Sequence, residues 1–144
     1  MRKSRFHNLW LVGLIAVAST VAIWISAGMS IIYRNYDGPY YIAIAKSWYD
    51  SDVILTNFSF PLPMEYYPAH FPLYPLLISL IGQIGLIGYL PAMITVNLLA
   101  TVAGAVVIYH IWEKNKWGNP FWASIAWLFM WPRVWAVRST GSPE

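Results

Sequence analysis
The sequence predicts an all-α integral membrane protein: a multi-pass helical bundle with an outer-face loop carrying amphipathic and juxtamembrane helices. Three observations carry that expectation. Of the 144 residues, 58% are hydrophobic and only 10% are charged, with a mean hydropathy of +0.50. Soluble domains carry roughly 25% charged residues, so most of this surface is suited to a lipid bilayer. Long runs carry no charge at all, and the nine Trp and ten Tyr fit the aromatic belts found at both membrane interfaces. These runs exclude a soluble enzyme and a nucleic-acid binder. The net charge of +3 is small, and part of it lies in Arg2, Lys3 and Arg5, which reads as a topology signal. With no cysteine there is no disulfide scaffold, thiol nucleophile or cysteine-ligated metal.

The first apolar run, Leu9 to Ile32, is 24 residues long and uncharged. At ~1.5 Å per residue it covers roughly 36 Å, enough to cross a ~30 Å core with tilt. Ala16-Val17-Ala18 looks like a signal-peptide cleavage site. The run continues far past the ~7–15 residues of a signal core, so an uncleaved span over 9–32 is expected. The positive-inside rule places Met1 in the cytoplasm and Tyr33 outside.

Residues 33–72 read as a long polar and aromatic outer loop. Asp37 can cap a helix whose first turn holds Pro39, where a missing N–H costs little. Tyr41, Ile44, Ala45 and Trp48 then recur at helical spacing and form one apolar face, with Lys46 and Asp50 pointing elsewhere. The pattern predicts a short amphipathic helix lying flat on the outer leaflet. The alternative is a helix packed on a soluble domain, and this chain has no obvious such domain. Asn57-Phe58-Ser59 matches an N-glycosylation acceptor, a short pattern with a high chance rate.

Leu73 to Gly88 is apolar but only 16 residues long, and Gly82, Gly85 and Gly88 interrupt it. It is expected to be interfacial or re-entrant over 73–88. A second span is expected over 89–112, with a small-residue face at Ala100, Ala103 and Gly104 for close helix packing. A third is expected over 121–137, interrupted by Pro132 and Arg133. This arrangement keeps Lys114 and Lys116 inside, as the charge rule prefers, and puts Arg138 and Glu144 on the side of Asp37. Three spans make a poor bundle, and Arg133 and Arg138 lack obvious partners. Residues 1–144 are therefore expected to be the N-terminal part of a single, longer polytopic membrane domain.

Several residues resemble a known family. Tyr36-Asp-Gly-Pro-Tyr-Tyr-Ile-Ala-Ile-Ala45 is similar to the first-loop motif of GT-C fold glycosyltransferases, closest to the GPI mannosyltransferase type. There an aspartate follows the first span and precedes an aromatic-rich amphipathic helix. His70-Phe-Pro-Leu-Tyr-Pro-Leu-Leu-Ile78 resembles the Phe-Pro-rich segment of that family, and Arg138-Ser-Thr-Gly-Ser-Pro-Glu144 occupies the place of its small-residue segment ending in Ser-Glu. The likeness covers most of the chain in order. This sequence departs from the pattern at Tyr36, where the family has tryptophan, and at Tyr40, where it has histidine. Gly38 and Pro39 follow Asp37, where metal-dependent relatives carry an acidic pair. No cofactor is called for, and a divalent metal is left open.

The resemblance implies inverting transfer of a mannose-like sugar from a polyprenyl-phosphate donor to a hydroxyl of a glycolipid, glycan or protein acceptor. The site would lie on the outer face of a cell membrane or endoplasmic reticulum membrane. Such chemistry needs a carboxylate to accept the hydroxyl proton, and positive charge or N–H donors for the leaving phosphate. Asp37 is the acid nearest the outer end of the first span and is the candidate base; a helix N-cap is its structural alternative. Arg34 and Arg138 are candidate phosphate ligands, or else headgroup contacts. His70 is a candidate for polarising the acceptor or binding phosphate, Tyr40 stands where the family's histidine would serve substrate, and Glu65 and Glu144 are candidates for acceptor binding. Tyr66, Tyr67 and Tyr74 can stack on sugar or anchor the chain at the interface. The competing class is a non-catalytic membrane subunit or transporter fragment, in which Asp37, Arg34 and Arg138 are structural charges.

Overall fold
The computed structural model describes residues 2–28, 37–59 and 71–130. These residues are almost all helical, with no strand among them. In chain order the helices are α1 (Arg2–Ala27), α2 (Gly38–Ser47), α3 (Ser51–Asn57), α4 (Leu73–Ile84), α5 (Tyr89–Asn115) and α6 (Pro120–Leu128). They fall into two compact units. Of the described residues, one takes in 2–28 and 97–130, the other 37–59 and 71–96.

Two helices are long and apolar enough to cross a membrane: α1 over Ser4–Ser26, 23 residues, and α5 over Tyr89–Asn115, 27 residues. At ~1.5 Å per residue they reach roughly 34 and 40 Å, against a hydrocarbon core of ~30 Å. Only 22% of the most apolar stretch of α1 and 33% of that of α5 is buried. A core helix of a soluble domain would be mostly buried.

The first helix differs from the expected 9–32. It starts at Arg2, because polar residues at the start of a helix do not stop it. It ends at Ala27, because Gly28 takes φ +84, a left-handed conformation that is cheap for glycine and closes helices. Residues 29–32 lie outside the described residues.

In the first unit, α1 runs antiparallel to the later part of α5. Val12 and Ala16 pack with Ala105, Tyr109 and Leu128. The Arg5 guanidinium reaches Glu113 at 3.0 Å and donates to His110 Nδ1 at 3.3 Å, so the basic N-terminal end of α1 lies beside the end of α5. Polar groups in this packing are satisfied. The Thr20 hydroxyl donates to the Ala16 carbonyl at 2.7 Å, and the buried Ser124 hydroxyl lies 3.1 Å from the Ala105 carbonyl and 3.0 Å from that of Pro120.

The small-residue face is displaced from its expected place. Ala100 and Ala103 are exposed, and the buried stripe runs Thr101, Ala105, Tyr109. Gly104 beside it does permit close approach: a Cβ there would lie 2.5 Å from the Trp127 ring. Of the third span expected over 121–137, only the first part lies among the described residues. Helix α6 has nine residues, roughly 14 Å, and its C-cap is Phe129. Residues 131–137 lie outside the described residues.

In the second unit, α2 is packed on two flanks. Ala43 and Ile44 cluster with Ile54 of α3, while Ala45 clusters with Ile78 of α4 and with Ala92, Met93 and Val96 of α5. The expected flat-lying amphipathic helix is thus a helix buried by protein. Trp48 also leaves the expected apolar face. The helix ends at Ser47, Trp48 takes φ 53, and its side chain is 54% exposed. The loop expected over 33–72 contains a further helix, α3, capped by Asp50, whose carboxylate accepts from the N–H groups of Asp52 and Val53 at 3.0 Å each. Helix α4 has 12 residues, roughly 18 Å, too short to cross a ~30 Å core.

The Gly104–Trp127 contact yields a stability test. Gly104→Val is expected to displace the Trp127 ring and cost about 1–3 kcal/mol, the usual range for overpacking. The cost should shrink when Trp127→Ala is combined with it, measured as a shift in Tm of the purified protein. Additive losses would show that the two residues do not meet.

Candidate functional site
Asp37 occupies the N-cap position of α2, and its backbone carbonyl accepts from the N–H groups of Tyr40 and Tyr41 at 3.0 and 3.1 Å. Its side chain does not cap. With φ −77 and ψ 3 the backbone is outside the extended region that aims a capping oxygen at the first turn, and no side-chain cap hydrogen bond forms. Asp37 thus stands at the N-cap position, as its structural alternative has it, without the side-chain cap bond.

Spacing then decides which side chains stand near it. Residues three and four further along a helix share a face, so Tyr40 and Tyr41 flank Asp37. Tyr40 is half-buried and packs on the Ala43, Ile44 and Ile54 cluster. Tyr41 packs on the other cluster and meets Tyr74 of α4 edge to face, with ring centroids 4.9 Å apart at 79°. Burial first, then the Asp37 charge, then Tyr49, raises the Tyr41 phenol above the ordinary tyrosine value. Burial first, then Tyr41, raises Tyr74 further still. The result is a carboxylate at the mouth of a helix, bordered by phenols that stay protonated at neutral pH. Such a carboxylate can accept a proton from a hydroxyl, and the ring edges offer an apolar border to a sugar face.

The other predicted site residues, Arg34, Glu65, His70, Arg138 and Glu144, lie outside the described residues, as do Tyr66 and Tyr67. The structure thus brings together Asp37, Tyr40 and Tyr41. Tyr74, a candidate for sugar stacking from the sequence, is brought against Tyr41, a contact that its sequence position did not indicate. The one available signal for Tyr41 was its place four residues after Asp37. Lys46 is exposed, as expected of a solvated helix residue, and its Nζ lies near two aromatic rings. Among the described residues no group of three or more His, Asp or Glu side chains could hold a metal ion. A groove of about 390 Å³ in the other unit, lined by residues such as Trp10, Leu14, Val17 and Val106, is wholly apolar and offers no group for chemistry.

No family model matches this chain, and no curated protein or solved structure matches it either.

The tyrosine environment predicts an alkaline response. A phenol raised in the folded state keeps its proton there after the unfolded chain has lost it. The stabilisation is full below the ordinary value of 10.0 and is lost as pH rises through the higher folded value. Thermal stability should fall above about pH 10, and Tyr74→Phe should flatten that fall. An unchanged slope in Tyr74→Phe would show that another group is responsible.

Proposed function
We propose that this chain is a multi-pass membrane glycosyltransferase, moving a mannose-like sugar from a polyprenyl-phosphate donor to an acceptor hydroxyl. The observation that carries the proposal is Asp37, an aspartate after the first apolar helix, at the start of α2, whose charge acts on the Tyr41 phenol. The order of the Tyr36-Asp37 and His70-Phe71-Pro72 motifs supports the same reading.

In the proposed reaction the acceptor oxygen attacks the anomeric carbon of the donor. The bond from that carbon to the phosphate oxygen breaks, and polyprenyl phosphate leaves with the electron pair. Asp37 takes the acceptor's proton and returns it to solvent. Attack opposite the leaving phosphate inverts the anomeric configuration. Tyr40 and Tyr41 border the sugar and keep water from the carboxylate. Arg34, His70 and Arg138 are assigned to phosphate and acceptor binding, and Glu65 and Glu144 to the acceptor. The acceptor is a glycolipid, glycan or protein, and the membrane is the cell membrane or that of the endoplasmic reticulum.

Asp37→Asn tests the chemistry. Asparagine keeps size and shape but cannot accept the proton, and a general base is typically worth ~10²–10⁴-fold. Membranes carrying the full-length protein, supplied with labelled polyprenyl-phosphate mannose, should transfer sugar; residues 1–144 by themselves should not do so fully. The variant should lose at least about a hundredfold at equal expression. Turnover near wild type would instead favour a non-catalytic membrane subunit, with Asp37 as a structural charge.

Topology is tested separately. The proposal has α1 and α5 crossing in opposite directions, which puts the N-terminus and Lys114 in the cytoplasm and α2 on the other face. The chain has no cysteine, so Thr56→Cys and Asn115→Cys, both at exposed positions, give single labels. An impermeant thiol reagent should reach them from opposite sides of a sealed vesicle. Labelling of both from one side would sink the crossing of α5.

A further inference from the structure
At the other end of α2 from Asp37, the exposed Lys46 is held between two rings. Its Nζ lies 5.9 Å from the Phe58 ring centroid and 5.5 Å from that of Tyr89. Both distances are within the ~6 Å reach of a cation–π contact. Phe58 is the C-cap residue of α3 and Tyr89 opens α5, so two separate elements set where the ammonium sits. Lys46 is the only Lys or Arg among described residues 37–59 and 71–96. Among the described residues no carboxylate pairs with it. Asp50, four residues on, has turned its carboxylate to the N–H groups of Asp52 and Val53.

Beside the ammonium is a cavity of about 340 Å³ lined by Lys46, Val53, Asn57 and Phe58. The Asn57 amide donates one N–H to the Val53 carbonyl at 2.9 Å, which leaves a second N–H for another acceptor. The cavity therefore combines a pre-placed cation, an amide donor and an apolar wall. Its volume lies at the small end of the ~300–1,000 Å³ range of ligand sites. Trp48 and Leu55, close by in sequence, are exposed and apolar, as suits the boundary between headgroups and lipid tails. An anion found at that boundary, and matched by a lysine point charge, is phosphate.

We propose that the Lys46–Asn57 cavity binds a phosphate group, with Lys46 as its counter-charge and Asn57 as a second donor. The group comes either from a phospholipid headgroup or from free phosphate. Nine residues of α2, roughly 14 Å, separate this cavity from Asp37, and it does not depend on sugar transfer.

Calorimetric titration of the detergent-solubilised full chain tests this with two probes, inorganic phosphate and dihexanoyl phosphatidic acid. At least one should bind. Lys46→Gln should weaken that binding by about tenfold or more, the scale of one charge-assisted contact, while Lys46→Arg stays within a few-fold of wild type. Asn57→Ala should weaken it by a smaller factor. Lys114→Gln, which removes an exposed charge from the other unit, should leave it unchanged. Binding of the lipid alone assigns the headgroup, and equal binding of both probes assigns free phosphate. The proposal is overturned if neither probe binds, if Lys46→Gln binds like wild type, or if Lys114→Gln weakens binding as much as Lys46→Gln.

Discussion

The packing of α2 on two flanks is the constraint on which the second unit depends. Ala43 and Ile44 face α3, and Ala45 faces α4 and the start of α5. Alanine at 43 and 45 keeps the side chains short enough for neighbours to approach from both directions. To lay α3 back along α2 the chain must reverse within two residues, and it does so with Trp48 at φ 53 and Tyr49 at φ 65. Left-handed non-glycine residues cost about 1–3 kcal/mol each. Full burial of Ile44 and Ile54 contributes about 1.5–3 kcal/mol each, so the interface formed by the reversal is large enough to offset it. The same reversal delivers Asp50 as the cap of α3 and sets Phe58 against Lys46.

The first unit follows a different logic. Its helices meet in a narrow cluster of Val12, Ala16, Ala105, Tyr109 and Leu128, with α1 closest to α6, and leave Leu14, Val17, Val21, Ile25, Val107 and Ile111 exposed. In water such a surface would demand a partner; in hydrocarbon it demands nothing. Where hydrophobic burial does not drive helices together, close approach and satisfied polar groups must do so. Gly104 under Trp127 supplies the first, and the Ser124 and Thr20 hydroxyls bonded to helix carbonyls supply the second.

Much of this was legible from the residues, and the failures have physical causes. The long helices were readable because twenty or more apolar residues in a row leave little choice. Their ends were not, since Arg2 to His7 could join a helix without changing its apolar pattern. Helix α3 was missed because seven residues are too few for periodicity, although Asp50-Ser51-Asp52 is a start signal. Trp48 fitted the apolar face of α2 by spacing alone, and spacing cannot see a helix stop one residue earlier. The stripe on α5 was misplaced because Ala100 and Ala103 look as suitable as Ala105 until a neighbour selects one side. Of the candidate site, Asp37, Tyr40 and Tyr41 were local in sequence and hence accessible. The contact of Tyr41 with Tyr74 depends on how α4 docks, which no local pattern records.

Asp37 and Asp50 make an internal comparison that bears on the site. Both precede helices of the same unit and both stand at the N-cap position. Asp50 has the extended backbone of a capping residue, φ −69 and ψ 115, and its carboxylate takes two N–H bonds. Asp37 has φ −77 and ψ 3, and its carboxylate takes none of the cap bonds. Helix α2 can start without that help. Pro39 in its first turn has no N–H to satisfy, and burial on two flanks holds the helix in place. Capping is thus done by an aspartate where a short helix needs it, and is not asked of the one that follows the first apolar helix. What Asp37 does influence is Tyr41, whose phenol its charge helps to keep protonated. The two aspartates thus differ in what their carboxylates do for the backbone, and the Asp37 charge acts on a half-buried phenol where the Asp50 carboxylate acts on two N–H groups.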